Sequence, residues 1–311
     1  MNDIDFANKI INNILEITGN EGKKIPIHEP NFKNTNAKSY VNECIDTGWV
    51  STAGRWVEHF ESQISQYTGS KYAIAVSNGT VGLRLALFLV GVRSSEEVII
   101  PPMSFVATAN SISHLGAVPH FVDIEEDSLG MCPKALKKRL EEVAVKKEGL
   151  TFNRISGKRI AAVLPVHVFG NPSKIIEISD ICEEWNLPLV EDAAEALGSW
   201  VEYQNQKIHC GLFGDVSVIS FNGNKVISTG GGGVLITNNH SLAKRARHLS
   251  TTAKINHPWN FDHDEIGWND RLPNINAALG ASQMEVLEEK LASKRKLYEK
   301  YLYIFRDMQG L

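Results

Sequence analysis

The spacing of apolar residues changes near residue 70 of the chain. Before that point apolar residues recur at helical intervals in residues 4–16, 37–47 and 58–67. After it, short apolar runs alternate with longer amphipathic segments, which predicts an α/β fold with a mostly parallel sheet covered by helices on both faces. The predicted strands are 72–76, 97–100, 118–122, 160–166, 187–190, 216–219 and 233–236, and the predicted helices between them are 81–90, 107–115, 132–145 and 175–184.

Two segments fall outside this alternation. Residues 146–158 are polar, and we expect an exposed excursion there. From Leu279 onward the apolar spacing predicts one long helix with charged faces, which runs close to the chain end at Leu311. Because ligands bind at the carboxyl ends of strands in parallel sheets, the residues that directly follow the apolar runs are the first candidates for a functional site.

Composition and charge narrow the class of protein. Of the 311 residues, 43% are hydrophobic and 22% are charged, and the net charge of −4 gives no electrostatic basis for binding nucleic acid. The four cysteines are scattered without a CxxC pair, which fits a reduced compartment. The sequence shows no signal-peptide pattern and no apolar run long enough for a membrane span. We therefore expect a soluble cytoplasmic protein.

A lysine precedes a run of four glycines in the second half of the chain. Lys225 ends the segment Ser220-Phe221-Asn222-Gly223-Asn224-Lys225, and the glycines are residues 230–233. This placement suits an amine that forms a Schiff base, because dense glycines next to a strand allow close approach of a ligand. The segment is not a Walker loop, and no GxGxxG motif supports a dinucleotide cofactor. The structural alternative is an ordinary surface lysine.

Asp192 ends an almost wholly apolar strand. A carboxylate in that position requires a cationic or hydrogen-bonding partner. Together with Lys225 it describes a pyridoxal phosphate (PLP) site, in which a carboxylate holds the protonated ring nitrogen. The alternatives are a metal ligand, for which no suitably spaced His/Cys/Asp cluster is present, and a cap for the segment that follows.

Two further segments could complete such a site. Ser77-Asn78-Gly79-Thr80 joins a predicted strand to a predicted helix, which makes it a candidate phosphate site at a helix N-terminus. The alternative is a plain turn with Thr80 as the cap. Phe105 follows Pro101 and Pro102 at the end of a strand, where an aromatic ring could stack on a cofactor. A phenylalanine in the core is the alternative explanation.

The order of these motifs resembles that of the DegT/DnrJ/EryC1/StrS family of PLP-dependent nucleotide-sugar aminotransferases. The resemblance runs from Pro26 to the chain end and implies the aspartate-aminotransferase fold, also called PLP fold type I. The matching segments include Asp46-Thr47-Gly48-Trp49-Val50-Ser51, Asn78-Gly79-Thr80, Phe105-Val106-Ala107-Thr108, Phe121-Val122-Asp123-Ile124, Pro165-Val166-His167-Val168-Phe169-Gly170, Glu191-Asp192-Ala193-Ala194-Glu195, Ser220-Phe221-Asn222-Gly223-Asn224-Lys225 and Asn276-Ala277-Ala278-Leu279-Gly280.

The resemblance implies roles for individual residues. Lys225 would form the Schiff base and move the proton in amino transfer, and Asp192 would pair with the pyridine nitrogen. Phe105 would stack on the ring, and Asn269 would reach the cofactor phosphate of a partner in a homodimer. The implied cofactor-binding residues are Asn78, Gly79, Thr80, Phe105, Asp192, Glu195, Ser220, Lys225 and Asn269.

Two departures from the common family pattern point to a branch. Many relatives have glutamine or histidine where this chain has Glu195, and glutamate where it has Gly231. The variant pair resembles the LegC/PglE branch, which implies amination of a UDP-linked 4-keto-6-deoxy-N-acetylhexosamine at C4 with glutamate as donor, toward a bacterial surface glycan. Glu195 would then lie near the phenolic oxygen of the cofactor or near the sugar. The candidate substrate contacts are Trp49, Ser51, His167, Lys254, His257 and Trp259.

The resemblance also suggests a domain division. We expect an N-terminal helical segment over 1–25, a PLP-binding large domain over 26–280, and a helix over 281–311 that leads into a small C-terminal domain largely missing from the chain. Two alternatives to an active aminotransferase stay open. One is a PLP-dependent sugar dehydratase, against which Lys225 argues, and the other is a non-catalytic remnant that binds PLP or a nucleotide-sugar.

Overall fold

The computed structural model describes residues 3–19, 24–306 and 308. Parts of the predicted N-terminal segment (1–2 and 20–23) and of the chain end (307 and 309–311) lie outside the described residues. The helices are α1 Asp3–Thr18, α2 Ala37–Asp46, α3 Arg55–Thr68, α4 Gly79–Leu89, α5 Val106–Ser113, α6 Pro133–Val143, α7 Ile175–Glu184, α8 His240–Ser250, α9 Asn274–Met284 and α10 Leu287–Phe305. Within those ranges no helix combines the length and apolar character that a bilayer crossing requires.

The strands are β1 Tyr72–Val76, β2 Glu97–Ile100, β3 Val118–Phe121, β4 Ala144–Lys147, β5 Leu150–Asn153, β6 Ile160–Val163, β7 Val190–Asp192, β8 Trp200–Tyr203, β9 Gln206–His209, β10 Val216–Ser220 and β11 Gly233–Thr237. Seven of them form the central sheet. Two hydrogen-bonded groups, β3-β2-β6 and β7-β10-β11-β1, are joined by parallel bridges between Val163 and Leu189 and between Val166 and Asp192. Strand β11 runs antiparallel to both of its neighbours, and the other pairings are parallel. The predicted mostly parallel sheet is confirmed.

Helices cover both faces of this sheet. Successive residues of β10 show the two sides, because side chains alternate along a strand. Val218 packs in one apolar cluster with Leu83 of α4, whereas Ile219 packs in another with Phe60 of α3. Every residue of β2, β6, β10 and β11 is buried, as expected for strands covered on both sides.

Several elements differ from the sequence-based expectation. The polar excursion at 146–158 contains most of a β4–β5 hairpin, and a second hairpin, β8–β9, was not predicted. Both turn on two residues with positive φ, Glu148-Gly149 and Gln204-Asn205, a geometry that suits the twist of a hairpin. Helix α8 was also missed, although Asn239 caps it by accepting hydrogen bonds from the amides of Ser241 and Leu242. The predicted long helix is divided between α9 and α10, and no glycine or proline marks the division.

Candidate active site

A cavity of about 370 Å³ opens where five parallel strands end. Residues that follow β1, β2, β6, β7 and β10 line it, which places the cavity at the carboxyl edge of the sheet, as expected for this class of fold. The lining residues are Asn78, Gly79, Thr80, Leu83, Met103, Ser104, Phe105, Ala107, Val166, His167, Val168, Phe169, Asp192, Ala194, Glu195, Ser220, Asn222, Asn224 and Lys225.

The N-terminus of α4 forms one wall. Asn78 caps this helix, because its Oδ1 accepts the amide hydrogen of Val81 at 3.0 Å. The alternative in which Thr80 is the cap is therefore wrong, and Thr80 lines the cavity instead. Gly79 packs against Ser220, since an added Cβ at residue 79 would lie 3.1 Å from the Cβ of Ser220. The helix amides and two hydroxyls thus meet in one place, an arrangement that suits a phosphate group.

The four-glycine run contains positions of different kinds. Gly230 has φ +79°, a conformation that favours glycine. An added Cβ on Gly233 would lie 2.8 Å from the carbonyl of Asn78, so this glycine lets β11 approach the start of α4. At Gly231 an added Cβ would meet nothing within 4 Å. Close packing therefore requires glycine at 233 but not at 231.

We expect the substitutions Gly233→Ala and Gly231→Ala to differ in effect. The first forces β11 away from the α4 N-terminus and should lower the free energy of unfolding by about 1–3 kcal/mol, the usual cost of overpacking. The second enters open space and should change it by less than about 0.5 kcal/mol. Urea denaturation of both variants and the wild type measures the difference. Equal stability of the two variants would contradict the packing described above.

Asp192 lies at the end of β7 and is 4% exposed. Its Oδ2 accepts a hydrogen bond from Thr108 Oγ1 at 2.7 Å, and its Oδ1 accepts one from the amide of Ala194 at 3.2 Å. Burial raises the pKa of this carboxyl, while the bond from Thr108, the bond from Ala194 and the charge of Lys225 oppose the rise. A carboxylate in this state is well placed to pair with a cation that enters the cavity.

Lys225 and Glu195 form an ion pair inside the cavity. Lys225 Nζ donates to Glu195 Oε1 at 2.8 Å, and the lysine side chain is 12% exposed. The surface-lysine alternative is therefore wrong. Glu195 was predicted to lie near the phenolic oxygen of a cofactor or near a sugar, and the structure places its carboxylate beside the amine of Lys225. The cavity lining thus includes the amine of Lys225 and two carboxylates, of which Asp192 is buried and Glu195 is partly exposed.

Two exposed aromatic rings line the same cavity. Phe105 immediately precedes α5 and is 77% exposed, so it is not the core residue of the alternative explanation. Phe169 is 73% exposed and has φ +54°, an uncommon conformation for a bulky residue. Sequence reasoning did not select Phe169, although it lies within the segment around His167. Both rings offer an apolar face to a planar ligand.

His167 also lines the cavity, but its ring nitrogens are already engaged. Nε2 lies 2.9 Å from Glu191 Oε2, and Nδ1 accepts the amide hydrogen of Ser173 at 3.2 Å. Glu191 is fully buried and also accepts amide hydrogens from Gly211, Phe213 and Gly214. This network makes His167 a hydrogen-bonded residue of the core and argues against the predicted substrate contact, because the ring has no free nitrogen for a substrate.

Six predicted contacts lie away from the cavity of their own chain: Trp49, Ser51, Lys254, His257, Trp259 and Asn269. Lys254 Nζ lies 4.0 Å from the centre of the Phe261 ring, and His257 Nδ1 accepts the amide hydrogens of Trp259 and Asn260. The carbonyl oxygens of Trp49 and Ser51 accept hydrogen bonds from Asn274. None of the six lines the cavity of its own chain, and their predicted roles stay predictions.

The cavity has the features that PLP requires. An amine lies beside it, a buried carboxylate can pair with a ring nitrogen, an exposed phenylalanine can cover the ring, and a helix N-terminus with hydroxyls can hold the phosphate. Thr108 belongs to one of the matching segments, but no role was assigned to it from the sequence. In the structure its hydroxyl donates a hydrogen bond to Asp192 and so holds that carboxylate in place. The available signal was its place in the first turn of α5, three residues after Phe105.

Comparison with known proteins identifies the family. Residues 32–311 match the model of the DegT/DnrJ/EryC1/StrS aminotransferase family. The chain is 35% identical to the GDP-perosamine synthase of Vibrio cholerae over 277 residues, which span 89% of this chain and 70% of that protein. The structure of the aminotransferase TlmJ from Streptoalloteichus hindustanus superposes with a TM-score of 0.80 at 29% identity, covering 92% of this chain and 73% of that one.

A third relative bears on the cofactor. The structure of NtdA from Bacillus subtilis, with bound pyridoxamine phosphate, has a TM-score of 0.74 at 26% identity and covers 88% of this chain and 58% of that one. The α/β fold is that of PLP fold type I, as predicted, and the cofactor is pyridoxal phosphate. The chain belongs to the DegT/DnrJ/EryC1/StrS aminotransferase family and is a PLP-dependent sugar aminotransferase.

Proposed function

We propose that this sugar aminotransferase moves an amino group from glutamate to C4 of a nucleotide-linked 4-keto-6-deoxy sugar. The observation that carries the proposal is the Lys225–Glu195 pair, which lies in the same cavity as the buried carboxylate of Asp192. An amine with a neighbouring carboxylate can take up a proton and return it, as amino transfer requires. Lys225 also disfavours a lysine-free dehydratase mechanism.

Each residue then has a task. Bound PLP supplies the electron sink on which both half-reactions depend. Asp192 would pair with the ring nitrogen, and the α4 N-terminus with Gly79, Thr80 and Ser220 would hold the phosphate. Phe105 would cover one face of the ring. Lys225 Nζ would take up and return the proton that amino transfer moves, with Glu195 holding the amine in place.

The nucleotide has two candidates. Glu195, Gly231 and the segment from Lys254 to Trp259 support the LegC/PglE branch, and hence a UDP-linked N-acetylated sugar. The similarity to GDP-perosamine synthase supports a GDP-linked sugar instead. The packing around Gly231 does not decide between the two nucleotides, because an added Cβ at this residue would meet nothing within 4 Å.

We also propose a cytoplasmic homodimer in which the six outlying residues complete the partner's site. Large apolar side chains are exposed in the segment that carries several of them: Trp259 is 84% exposed, and Phe261 and Ile266 are similarly open. Exposed apolar side chains of this size are typical of protein interfaces. Asn269 would reach the partner's phosphate from there. We also keep as a proposal the domain division given above, with a PLP-binding large domain over residues 26–280.

A substrate panel tests the function. Purified protein loaded with PLP is mixed with glutamate and with UDP-, GDP- or dTDP-linked 4-keto-6-deoxy sugars, and formation of the 4-amino sugar is followed by mass spectrometry. We expect amino transfer to one nucleotide class to exceed that to the others. Absence of transfer to every sugar would favour the non-catalytic alternative over the aminotransferase.

A further inference from the structure

Three basic side chains lie together next to the segment that carries Lys225. His28 belongs to the connection between α1 and α2, while Lys290 and Lys294 lie one turn apart on α10. Lys294 Nζ is 3.5 Å from His28 Nδ1. We call these three residues the basic cluster. None of them was selected from the sequence.

The connection is held against both α10 and the lysine segment. Lys290 Nζ donates to the carbonyl of Asn31 at 2.9 Å and to Gln283 Oε1 at 2.9 Å. On its other side, Pro30 approaches Gly223, since a Cβ added to that glycine would lie 3.7 Å from Pro30 Cγ. The basic cluster is therefore fixed close to the backbone that presents Lys225 to the cavity.

The charge of the basic cluster is not balanced. In residues 24–306, no carboxylate lies within ion-pair distance of Lys290 or Lys294. Burial and the charges of Lys294 and Lys290 lower the pKa of His28, against the effect of a hydrogen bond with the backbone of Lys225. Burial and the charge of Lys294 likewise lower the pKa of Lys290. Like charges four residues apart also weaken a helix, so the arrangement costs stability that an anion would restore.

We propose that the basic cluster binds the diphosphate of the nucleotide-linked sugar, an inference that rests on the proposed function. Carbon 4 of the sugar must reach the amine of Lys225, and the diphosphate is attached at carbon 1, across the pyranose ring. The basic cluster lies beside the backbone of Lys225, one lysine side chain away from the amine. The length of that side chain is comparable with the distance from carbon 4 to the diphosphate. Lysine and histidine side chains suit phosphate oxygens, because charge-assisted hydrogen bonds to them are strong.

Binding measurements on PLP-loaded protein test this site. UDP, GDP, inorganic pyrophosphate and glutamate are titrated calorimetrically into the wild type and into Lys294→Gln and His28→Gln. Lys296→Gln is the matched control, because Lys296, like Lys294, is an exposed lysine and lies two residues further along α10. Lys290 is left intact, since it holds Asn31. We expect each of the two test variants to weaken diphosphate binding by about fivefold and the control to leave it unchanged.

The outcomes separate this inference from the proposed function. Unchanged diphosphate affinity in both test variants overturns the inference, even if the wild type transfers amino groups. An equal loss in Lys296→Gln also overturns it, because the effect would then be general electrostatics. Weakened glutamate binding with unchanged diphosphate binding assigns the basic cluster to the donor and overturns it as well. A selective loss of diphosphate binding supports it, even if no 4-keto sugar is turned over.

Discussion

Lys225→Ala is expected to lower amino transfer by at least about a thousandfold, because the variant lacks the amine to which we assign covalent attachment of the cofactor and proton transfer. The structure gives a physical reason for so large an effect. Lys225 Nζ is the amine that lines the cavity, and its ion pair with Glu195 fixes it 2.8 Å from a carboxylate. The test measures the 4-amino sugar formed per enzyme in a single turnover, together with the visible absorption of the bound cofactor.

Two companions make the Lys225→Ala result specific. Lys296→Ala removes an exposed lysine of α10 and should retain full activity and an unchanged spectrum. Added methylamine should restore part of the activity of Lys225→Ala, since a small amine can occupy the space left in the cavity and carry the proton. Full activity in Lys225→Ala would exclude the lysine from the chemistry. An unchanged absorption band would show that the cofactor is not attached there.

The parts of the site that sequence reasoning predicted share one property. Asn78, Phe105, Asp192 and Lys225 all follow apolar runs, and the carboxyl ends of parallel strands meet at one edge. A one-dimensional pattern is sufficient to predict that convergence, because strand order need not be known. The same reasoning applies to the sheet, whose buried strands are mostly apolar. Strand β11 is antiparallel, which apolar pattern alone does not indicate.

Contacts between distant segments were beyond that reasoning. His28 and Lys294 are separated by 266 residues, and neither lies in a motif. The hydrogen bonds of the His167 ring join it to Glu191 and to Ser173, and these three residues come together only in the folded sheet edge. The two hairpins were not predicted for a different reason. Their turns lack the Asn-Gly or Asp-Gly pairs that signal positive φ in a sequence.

The second large effect is expected at Asp192. In Asp192→Asn the amide keeps the size of the side chain but cannot neutralise a protonated ring nitrogen. Loss of one partner of a buried ion pair costs about 3–5 kcal/mol, so cofactor affinity or turnover should fall by about two to four orders of magnitude. Titration of the cofactor-free protein with PLP, followed by single-turnover assays at saturating PLP, divides this loss between binding and chemistry. An Asn variant with wild-type affinity and rate would remove Asp192 from the site.

Stability of the cofactor-free protein distinguishes this charge effect from damage to the fold. Burial raises the pKa of Asp192 above that of an ordinary aspartate. The folded form therefore binds the proton more tightly than the unfolded chain, and the wild type should lose stability as pH rises through the range between the two pKa values. The Asn variant has no such titration, so at neutral pH it should be at least as stable as the wild type despite its weak PLP binding. Thr108→Val is the matched comparison: it removes the donor to Asp192 Oδ2 but leaves the carboxylate, and should reduce PLP affinity by about tenfold or less. If Asp192→Asn instead unfolds more readily than the wild type at neutral pH, the carboxylate serves the fold, and the loss of PLP binding cannot be assigned to the ring nitrogen.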